Sequence, residues 1–239
     1  MKIEIICLLK RGLLFCLSAG LSSGMKAQSG HQDAGSKPLR YVPLGDSYTI
    51  CEGASAAESW PALMSKHLVE KGIPVLLLFN PARTGWTTQN LIDRELPLFD
   101  ASDPDFTTLL IGVNDWVQGV SATVFAKNLN IILDRIQSKL KDKQKILLIT
   151  IPDFSVVPAA ASFHFSGDIS KGITAFDEIV TAEARARKLP VVDIFSLTQQ
   201  MKNNSALIAR DGLHPSAAEY ALWEKLILPA AVKMLGAAH

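Results

Sequence analysis

The stretch Arg-Tyr-Val-Pro-Leu-Gly-Asp-Ser at residues 40–47 joins a short apolar run to a glycine and two polar residues. The stretch Thr-Thr-Leu-Leu-Ile-Gly-Val-Asn-Asp at residues 107–115 has a similar order. Short apolar runs bounded by glycine are typical of strands that are buried on both faces of a parallel sheet. We therefore expect both stretches to be strands of one sheet, each followed by a loop at the edge of that sheet.

Runs of this kind recur along the chain and alternate with segments of helical periodicity. The alternation predicts an α/β fold, a doubly wound three-layer α/β/α sandwich with a parallel sheet of about five strands. The expected strands are Arg40–Leu44, Val75–Phe79, Thr107–Ile111, Ile146–Ile151 and Pro190–Ile194. The expected helices are Ala56–Glu70, Thr88–Leu96, Ala122–Leu140, Lys171–Arg187 and Ser216–Leu235.

The composition is that of a globular protein. Of 239 residues, 48% are hydrophobic and 20% are charged, so the chain can bury a core without disulfides or structural metals. We expect one domain over residues 39–239, after a flexible segment at residues 28–38. The body is faintly acidic, because the excess positive charge lies in the first 27 residues, and this argues against sequence-independent nucleic-acid binding. No spacing of Cys and His resembles a zinc site, and no glycine-rich phosphate loop occurs.

The amino end has the order of residues that is typical of an export signal. Lys10 and Arg11 precede a mostly apolar stretch at residues 12–20, and small residues follow up to Ala27. The apolar stretch is shorter than the ~20 residues that cross a bilayer. We expect residues 1–27 to be a signal peptide of a secreted or periplasmic protein without a membrane span in its mature form. A cytoplasmic extension is the alternative.

Polar residues at the expected rim of the sheet form a candidate nucleophile and base. Ligands bind beyond the carboxyl ends of parallel strands. Ser47 follows the first strand, and Asp211 and His214 stand three residues apart before the last helix. A serine hydroxyl needs a base to take its proton, and that base needs a third group to fix its tautomer. The spacing predicts that Ser47 attacks, His214 takes the proton and Asp211 orients His214.

Attack on a carbonyl creates an oxyanion, which needs N–H donors already pointed at it, each worth about 3 to 4 kcal/mol. The candidates are the backbone N–H groups of Ser47 and Gly85 and the side-chain amide of Asn114. Taken singly, these residues have ordinary explanations, since serine caps helices and glycine serves turns. We expect Asp115 to brace the loop that carries Asn114.

In chain order, the blocks Gly45-Asp46-Ser47, Gly85, Gly112-Val113-Asn114-Asp115 and Asp211-Gly212-Leu213-His214 resemble those of the SGNH or GDSL-type serine esterases and lipases. The resemblance spans residues 40–235 and implies a flavodoxin-like sheet, a Ser-His-Asp triad and no cofactor. Tyr48 and Ala82 depart from the family's usual leucine and glycine, but neither position supplies a catalytic atom. Thr49 occupies the last glycine position of the Gly-x-Ser-x-Gly elbow, which argues against the α/β-hydrolase fold.

A long connection at residues 152–170 follows the fourth strand and overlooks the same rim. Connections of this length are usually functional or mobile. Phe163 and Phe165 lie in it, and Trp86 and Trp116 lie beside the oxyanion candidates. We expect these four side chains to form a wall that faces the acyl group or a sugar, although ordinary packing is the alternative for each. Cys51 is expected to be a buried filler, because nothing near it would lower the pKa of its thiol.

The predicted function is hydrolysis of carboxylic esters with short acyl or acetyl groups through an acyl-enzyme. The substrate class stays open among small-molecule, lipid and glycan esters. An acyltransferase with the same triad is one alternative, and a non-catalytic secreted carbohydrate-binding domain is another. Because the base must be neutral, activity is expected to fall below about pH 6 to 7, where an ordinary imidazole gains a proton.

Overall fold

The strands pair in parallel, as predicted. The computed structural model describes residues 37–163 and 167–236. The first expected strand is interrupted at Val42 and Pro43, giving β1 (Leu39–Tyr41) and β2 (Leu44–Gly45), and proline has no N–H to donate to a ladder. The remaining strands are β3 (Val75–Leu77), β4 (Thr107–Leu110), β5 (Ile146–Ile149) and β6 (Val191–Val192).

The order of the strands is that of a doubly wound sheet. β1 pairs with β3, whereas β2 pairs with β4, which continues to β5 and β6. A parallel bridge between Tyr41 and Phe106 connects the two ladders. The spatial order is therefore β3, β1 with β2, β4, β5, β6. From β1 the chain first goes to β3 on one side and then crosses back to β4 on the other side, so the direction in which strands are added reverses there. This reversal is the point at which open α/β sheets bind ligands.

The helices lie between the strands in the predicted order. The helices that the structure describes are α1 (Ser47–Ile50), α2 (Trp60–Glu70), α3 (Thr88–Asn90), α4 (Leu96–Ser102), α5 (Val113–Val117), α6 (Ala122–Lys139), α7 (Ile169–Arg187), α8 (Phe195–Thr198) and α9 (Ala217–Gly236).

Two groups of helices flank the sheet. α2 packs against α9, and α6 packs against α4 and α7. The β1–α2–β3 connection moves in one direction along the sheet and the β4–α6–β5 connection moves in the other. Because such crossovers are right-handed, opposite directions place α2 and α6 on opposite faces. All four residues of β4 and all four of β5 are buried, as a sheet covered on both faces requires.

Three segments differ from the sequence-based expectation. The expected helix Ala56–Glu70 is a 3-10 turn at Ala56–Glu58 followed by α2, which begins at Trp60. The expected helix Thr88–Leu96 is α3 followed by a π-helical turn at Leu91–Glu95 and then by α4, which ends at Ser102. The connection after β5 contains two 3-10 turns, at Phe154–Val156 and Pro158–Ser162. Short hydrogen-bonded turns of this kind leave no hydrophobic periodicity by which a sequence could reveal them.

Some predictions fall outside the described residues. These are the signal peptide at residues 1–27, most of the segment at residues 28–38, and Phe165. In the part of the chain that is described, no helix combines the length and the apolar character needed to cross a membrane.

Candidate active site

The imidazole of His214 is held by Asp211. Nδ1 of His214 lies 2.6 Å from Oδ2 of Asp211. Oδ1 of the same carboxylate accepts the backbone N–H groups of Leu213 and His214 at 2.9 and 3.0 Å. Because an ionised carboxylate only accepts hydrogen bonds, Nδ1 carries the proton, and Nε2 of the neutral ring is left as an acceptor. This is the tautomer that a general base requires.

The carboxyl group of Asp211 is stabilised in its ionised form. Burial acts to raise its pKa, but the hydrogen bonds from the His214 ring and from the backbone of Leu213 and His214 outweigh burial, so the pKa of Asp211 is lowered. An ionised Asp211 favours the positive ring that forms when His214 accepts a proton.

Ser47 is held at the start of α1, directly after β2. Oδ1 of Asp46 accepts the N–H of Tyr48 at 3.0 Å and so caps this short helix. The carbonyl group of Ser47 accepts the N–H of Glu52. The backbone N–H of Ser47 belongs to the first turn, whose N–H groups have no acceptor within the helix. The turn therefore presents a hydroxyl and a backbone donor from one residue.

A small cavity brings together three of the residues predicted for the triad and the oxyanion hole. Ser47, Asn114 and His214 all line it, and its volume is about 60 Å³. Ser47 and His214 are only 4% and 7% exposed. Between these two side chains no hydrogen bond is formed in the described part of the chain. Catalytic hydrogen bonds are often long in the absence of substrate and shorten when it binds.

The loop that carries Gly85 is joined to Asn114. Nδ2 of Asn114 donates to the carbonyl oxygen of Trp86 at 3.0 Å, and Nε2 of Gln118 donates to that of Gly85 at 3.2 Å. Gly85 has a φ of +83°, a left-handed conformation that is readily adopted by glycine. These contacts place two of the oxyanion candidates, Gly85 and Asn114, in adjoining segments.

Asp115 braces the same loops. Its Oδ2 accepts the backbone N–H of Thr88 at 2.8 Å, and its Oδ1 accepts the hydroxyl of Thr88. Nδ2 of Asn128 on α6 donates to that hydroxyl oxygen at 3.0 Å. The loop after β4 and the start of α3 are thus fixed to each other and to α6.

Three buried carboxyl groups surround the turn that holds Ser47. Burial raises the pKa of Asp46 to about 8, and the nearby Asp115 adds to this shift. Burial likewise raises the pKa of Glu95, whose Oε2 accepts the N–H of Gly45 at 3.0 Å, and the pKa of Asp115. Oδ2 of Asp46 and Oε1 of Glu95 have no hydrogen-bond partner among the described residues. Both groups therefore hold a proton more readily than an exposed carboxyl does.

Aromatic side chains form one wall of the cavity. Phe154 and Phe163 line it, and their ring centroids are 5.8 Å apart in an edge-to-face arrangement. Trp116, also predicted as a wall residue, lies behind Phe154 with ring centroids 6.0 Å apart. Trp86 is half-buried and meets Asn114 through its carbonyl group. The wall thus has a front layer, formed by Phe154 and Phe163, and Trp116 packs behind it.

Tyr48 contacts His214 in a way that the sequence did not predict. The ring of Tyr48 is buried and meets the imidazole edge-to-face, with centroids 5.8 Å apart. Tyr48 also packs against Trp223 of α9. Its side chain therefore supports the ring of His214 from the helix that carries Ser47. The available signal in the sequence was the aromatic residue directly after Ser47.

Cys51 is buried, as expected, and burial raises the pKa of its thiol. Among the described residues, no three His, Cys, Asp or Glu side chains are grouped as a metal site would require.

Comparison with known proteins identifies the family of the chain. The sequence profile of the GDSL-like lipase/acylhydrolase family matches residues 44–222. An arylesterase from Vibrio mimicus is 30% identical over 132 residues, which are 55% of this chain and 58% of that protein. Esterase TesA from Pseudomonas aeruginosa is 23% identical over 190 residues, which are 78% of this chain and 84% of that protein.

Solved structures show the same fold. The crystal structure of TesA has a TM-score of 0.66 at 22% identity and covers 82% of this chain and all of that one. A lipase/acylhydrolase from Enterococcus faecalis has a TM-score of 0.65 at 22% identity and covers 82% of this chain and 95% of that one. The resemblance seen in the four sequence blocks is confirmed: this chain belongs to the GDSL-like lipase/acylhydrolase family.

Proposed function

We propose that this protein is a serine hydrolase that cleaves carboxylic esters with short acyl groups. One observation carries the proposal. Ser47, Asn114 and His214 line a single cavity, and the ring of His214 is held by Asp211 in the tautomer of a base. The esterase names of its relatives from Vibrio mimicus and Pseudomonas aeruginosa support hydrolysis of an ester.

In the first half of the reaction, the Ser47 oxygen bonds to the carbonyl carbon of the ester while its proton passes to Nε2 of His214. The carbonyl oxygen becomes an oxyanion, which receives hydrogen bonds from the Asn114 amide and the backbone N–H groups of Ser47 and Gly85. The tetrahedral species then collapses, the ester C–O bond breaks, and His214 returns the proton to the departing alkoxide. The acyl group remains on Ser47.

In the second half, water attacks the acyl group and gives a proton to His214. The bond to Ser47 breaks, the Ser47 oxygen regains the proton, and the carboxylic acid leaves. Asp211 keeps its negative charge throughout and offsets the positive ring of His214. Asp115 does not touch the substrate in this scheme, and it holds the two oxyanion loops together.

The test is hydrolysis of p-nitrophenyl acetate by the purified full chain. Ser47→Ala is expected to lower kcat/KM by at least about 10³-fold, whereas Ser55→Ala, a substitution at an exposed helix cap, should leave it within about twofold. A fluorophosphonate should label Ser47, as mapped by mass spectrometry of the wild type. Labelling at Cys51 or undiminished hydrolysis by Ser47→Ala would exclude the proposed nucleophile.

We also infer that the protein is exported. The support is the order of charged, apolar and small residues within residues 1–27. Expression of the full chain followed by amino-terminal sequencing of the secreted or periplasmic product should show cleavage close to Ala27. Retention of an uncleaved chain in the cytoplasm would contradict the inference.

A further inference from the structure

Helix α7 carries a glycine where the helix itself does not need one. Gly172 lies in the first turns of α7, and glycine weakens a helix relative to alanine. A Cβ at position 172 would overlap Nε1 and Cε2 of the Trp116 indole and would lie 2.6 Å from its Cζ2. The indole therefore rests directly against the backbone of α7, and the lack of a side chain at position 172 makes this possible.

Trp116 in turn stands behind the aromatic wall of the cavity. Its ring meets the ring of Phe154, which is 2% exposed, and Phe154 meets Phe163. Phe154 and Phe163 both line the cavity that holds Ser47 and His214. A continuous stack thus runs from the backbone of α7, through Trp116 and Phe154, to the space beside the nucleophile.

The rear of this stack is backed by the backbone of α7. Protein interiors are close-packed, so a side chain moves back only if the group behind it can move. Phe154 has the indole of Trp116 behind it, and Trp116 has the backbone of a 19-residue helix behind it. The cavity, of about 60 Å³, is much smaller than the ~150 Å³ cavity that holds a benzene ring. Its small size favours a short acyl group.

We propose that the contact between Gly172 and Trp116 determines acyl-chain selectivity by fixing the position of Phe154, and that it restricts the enzyme to acetyl and propionyl esters. The inference rests on the proposed function, because it places the acyl group in this cavity. Trp116 and Gly172 are positioning residues, since they act on the substrate through Phe154. The alcohol part of the ester lies outside the stack and is not selected by it.

The test compares kcat/KM for p-nitrophenyl acetate, butyrate and hexanoate, which share one leaving group. Trp116→Phe removes the part of the indole that rests on α7, so Phe154 can move back. We expect the butyrate-to-acetate ratio to rise about tenfold, in the range that a hydrophobic pocket gives for one or two methylene groups. Phe154→Leu should raise the same ratio, because it shortens the front layer directly.

The double variant Gly172→Ala with Trp116→Phe tests directly whether the contact between positions 172 and 116 sets the ratio. The methyl group added at position 172 would occupy space that the smaller ring leaves, so the ratio should return to within about twofold of the wild-type value. Gly172→Ala alone should press the indole onto Phe154 and lower the ratio. Ala175→Gly, at an exposed position of α7, is the matched control, since it weakens the helix without touching Trp116.

Three results would overturn the inference: an unchanged ratio in both Trp116→Phe and Phe154→Leu, a double variant whose ratio stays as high as that of Trp116→Phe, or a wild type that prefers hexanoate. Loss of stability alone cannot imitate the expected pattern, because it lowers the rates for all three esters alike. Ser47→Ala in the same assay separates the two proposals. If it stays active, the proposed function fails, and if it is inactive while the ratios do not move, only the selectivity proposal fails.

Discussion

Asn114 and Trp86 are joined by a hydrogen bond of 3.0 Å from the side-chain amide of Asn114 to the backbone carbonyl of Trp86. A side-chain amide has two hydrogens, so this bond fixes the plane of the amide and leaves the second hydrogen for a ligand. The neighbouring carbonyl of Gly85 accepts a hydrogen bond from Gln118 on the same side of the site. The two loops that would supply oxyanion donors therefore move as one unit.

The first prediction concerns Asn114. Asn114→Ala removes a proposed donor to the oxyanion, so kcat should fall by about 10² to 10³-fold with little change in KM. Gln118→Ala is the matched control, because it removes an amide that contacts only the outer side of the Gly85 loop. The measurement is steady-state hydrolysis of p-nitrophenyl acetate. An equal loss in both variants would mean that the amides only hold the loops together.

The second prediction concerns the tautomer of His214. Asp211→Asn replaces an obligatory acceptor by an amide that can donate to Nδ1, which favours a proton on Nε2 and blocks the base. We expect kcat to fall by as much as about 10⁴-fold at neutral pH. Asp93→Asn, an exposed carboxyl that contacts Gln89, should be neutral. Because the pKa of Asp211 is lowered, protonation of Asp211 should not limit the activity of the wild type near neutral pH. A variant as active as wild type would remove Asp211 from the mechanism.

The third prediction concerns stability and pH. Burial raises the pKa of Asp177 on α7 to about 8, and Asp193 and Asp153 add to the shift. The native state thus keeps a proton that the unfolded chain loses above its ordinary pKa near 4. The resulting stabilisation is complete in acid and is lost as the pH rises from about 4 to 8.

Asp177→Asn abolishes this titration, and its Oδ1 can still accept the N–H of Ile151, which lies 2.7 Å from the acceptor in the wild type. The free energy of unfolding of Asp177→Asn should therefore depend less on pH between 5 and 8 than that of the wild type. Relative to the wild type, the variant should be more stable at pH 8 than at pH 5. Urea unfolding at several pH values measures this. Glu178→Gln, an exposed neighbour on α7, should keep the wild-type slope. If the free energy of unfolding changed with pH equally in Asp177→Asn and the wild type, Asp177 would not titrate in this range.

The fourth prediction concerns Gly112, two residues before Asn114. Its φ is +129°, and a Cβ there would lie 2.7 Å from Cε2 of Phe125 and 2.8 Å from Cδ1 of Ile151. Gly112→Ala combines backbone strain with overlap in the core. Gly119→Ala also has a positive φ, of +75°, which lies closer to the left-handed region open to other residues, and its Cβ would meet no atom within 4 Å.

The difference between these two variants reports the overlap together with the greater backbone strain at Gly112. Gly112→Ala should lower the free energy of unfolding by about 1 to 3 kcal/mol more than Gly119→Ala does. It should also lower kcat, because the displaced loop carries Asn114. Urea unfolding and the ester assay provide the two measurements. Equal destabilisation would show that the pocket around Gly112 adjusts without cost.

The fold could be predicted because buried strands appear in the sequence as runs of apolar residues. β4 and β5 are covered on both faces, so every residue in them must be compatible with burial, and the runs at residues 107–111 and 146–151 reflect this. The division of the first strand at Val42 and Pro43 and the π-helical turn at Leu91–Glu95 were missed. Each depends on the hydrogen bonds of a few backbone groups, which change no pattern of apolar residues.

The meeting of Ser47, Asn114 and His214 could also be expected, because the carboxyl ends of parallel strands share one rim. The sequence could not reveal that Trp116 stands behind Phe154 and is not among the residues that line the cavity. Trp116 lies in α5 and Phe154 in the 3-10 turn after β5, and only the packing of α5 against α7 orders them from front to back.

The sequence by itself determined the family, the order of the strands and helices, and the residue types of the candidate site, because hydrophobic periodicity and short motifs are local properties of a chain. Only the tertiary structure decided the size of the cavity, the contact of Tyr48 with His214 and the packing of the Trp116 indole against Gly172. These depend on distances between side chains far apart in the chain, and such distances are set when the layers pack against one another.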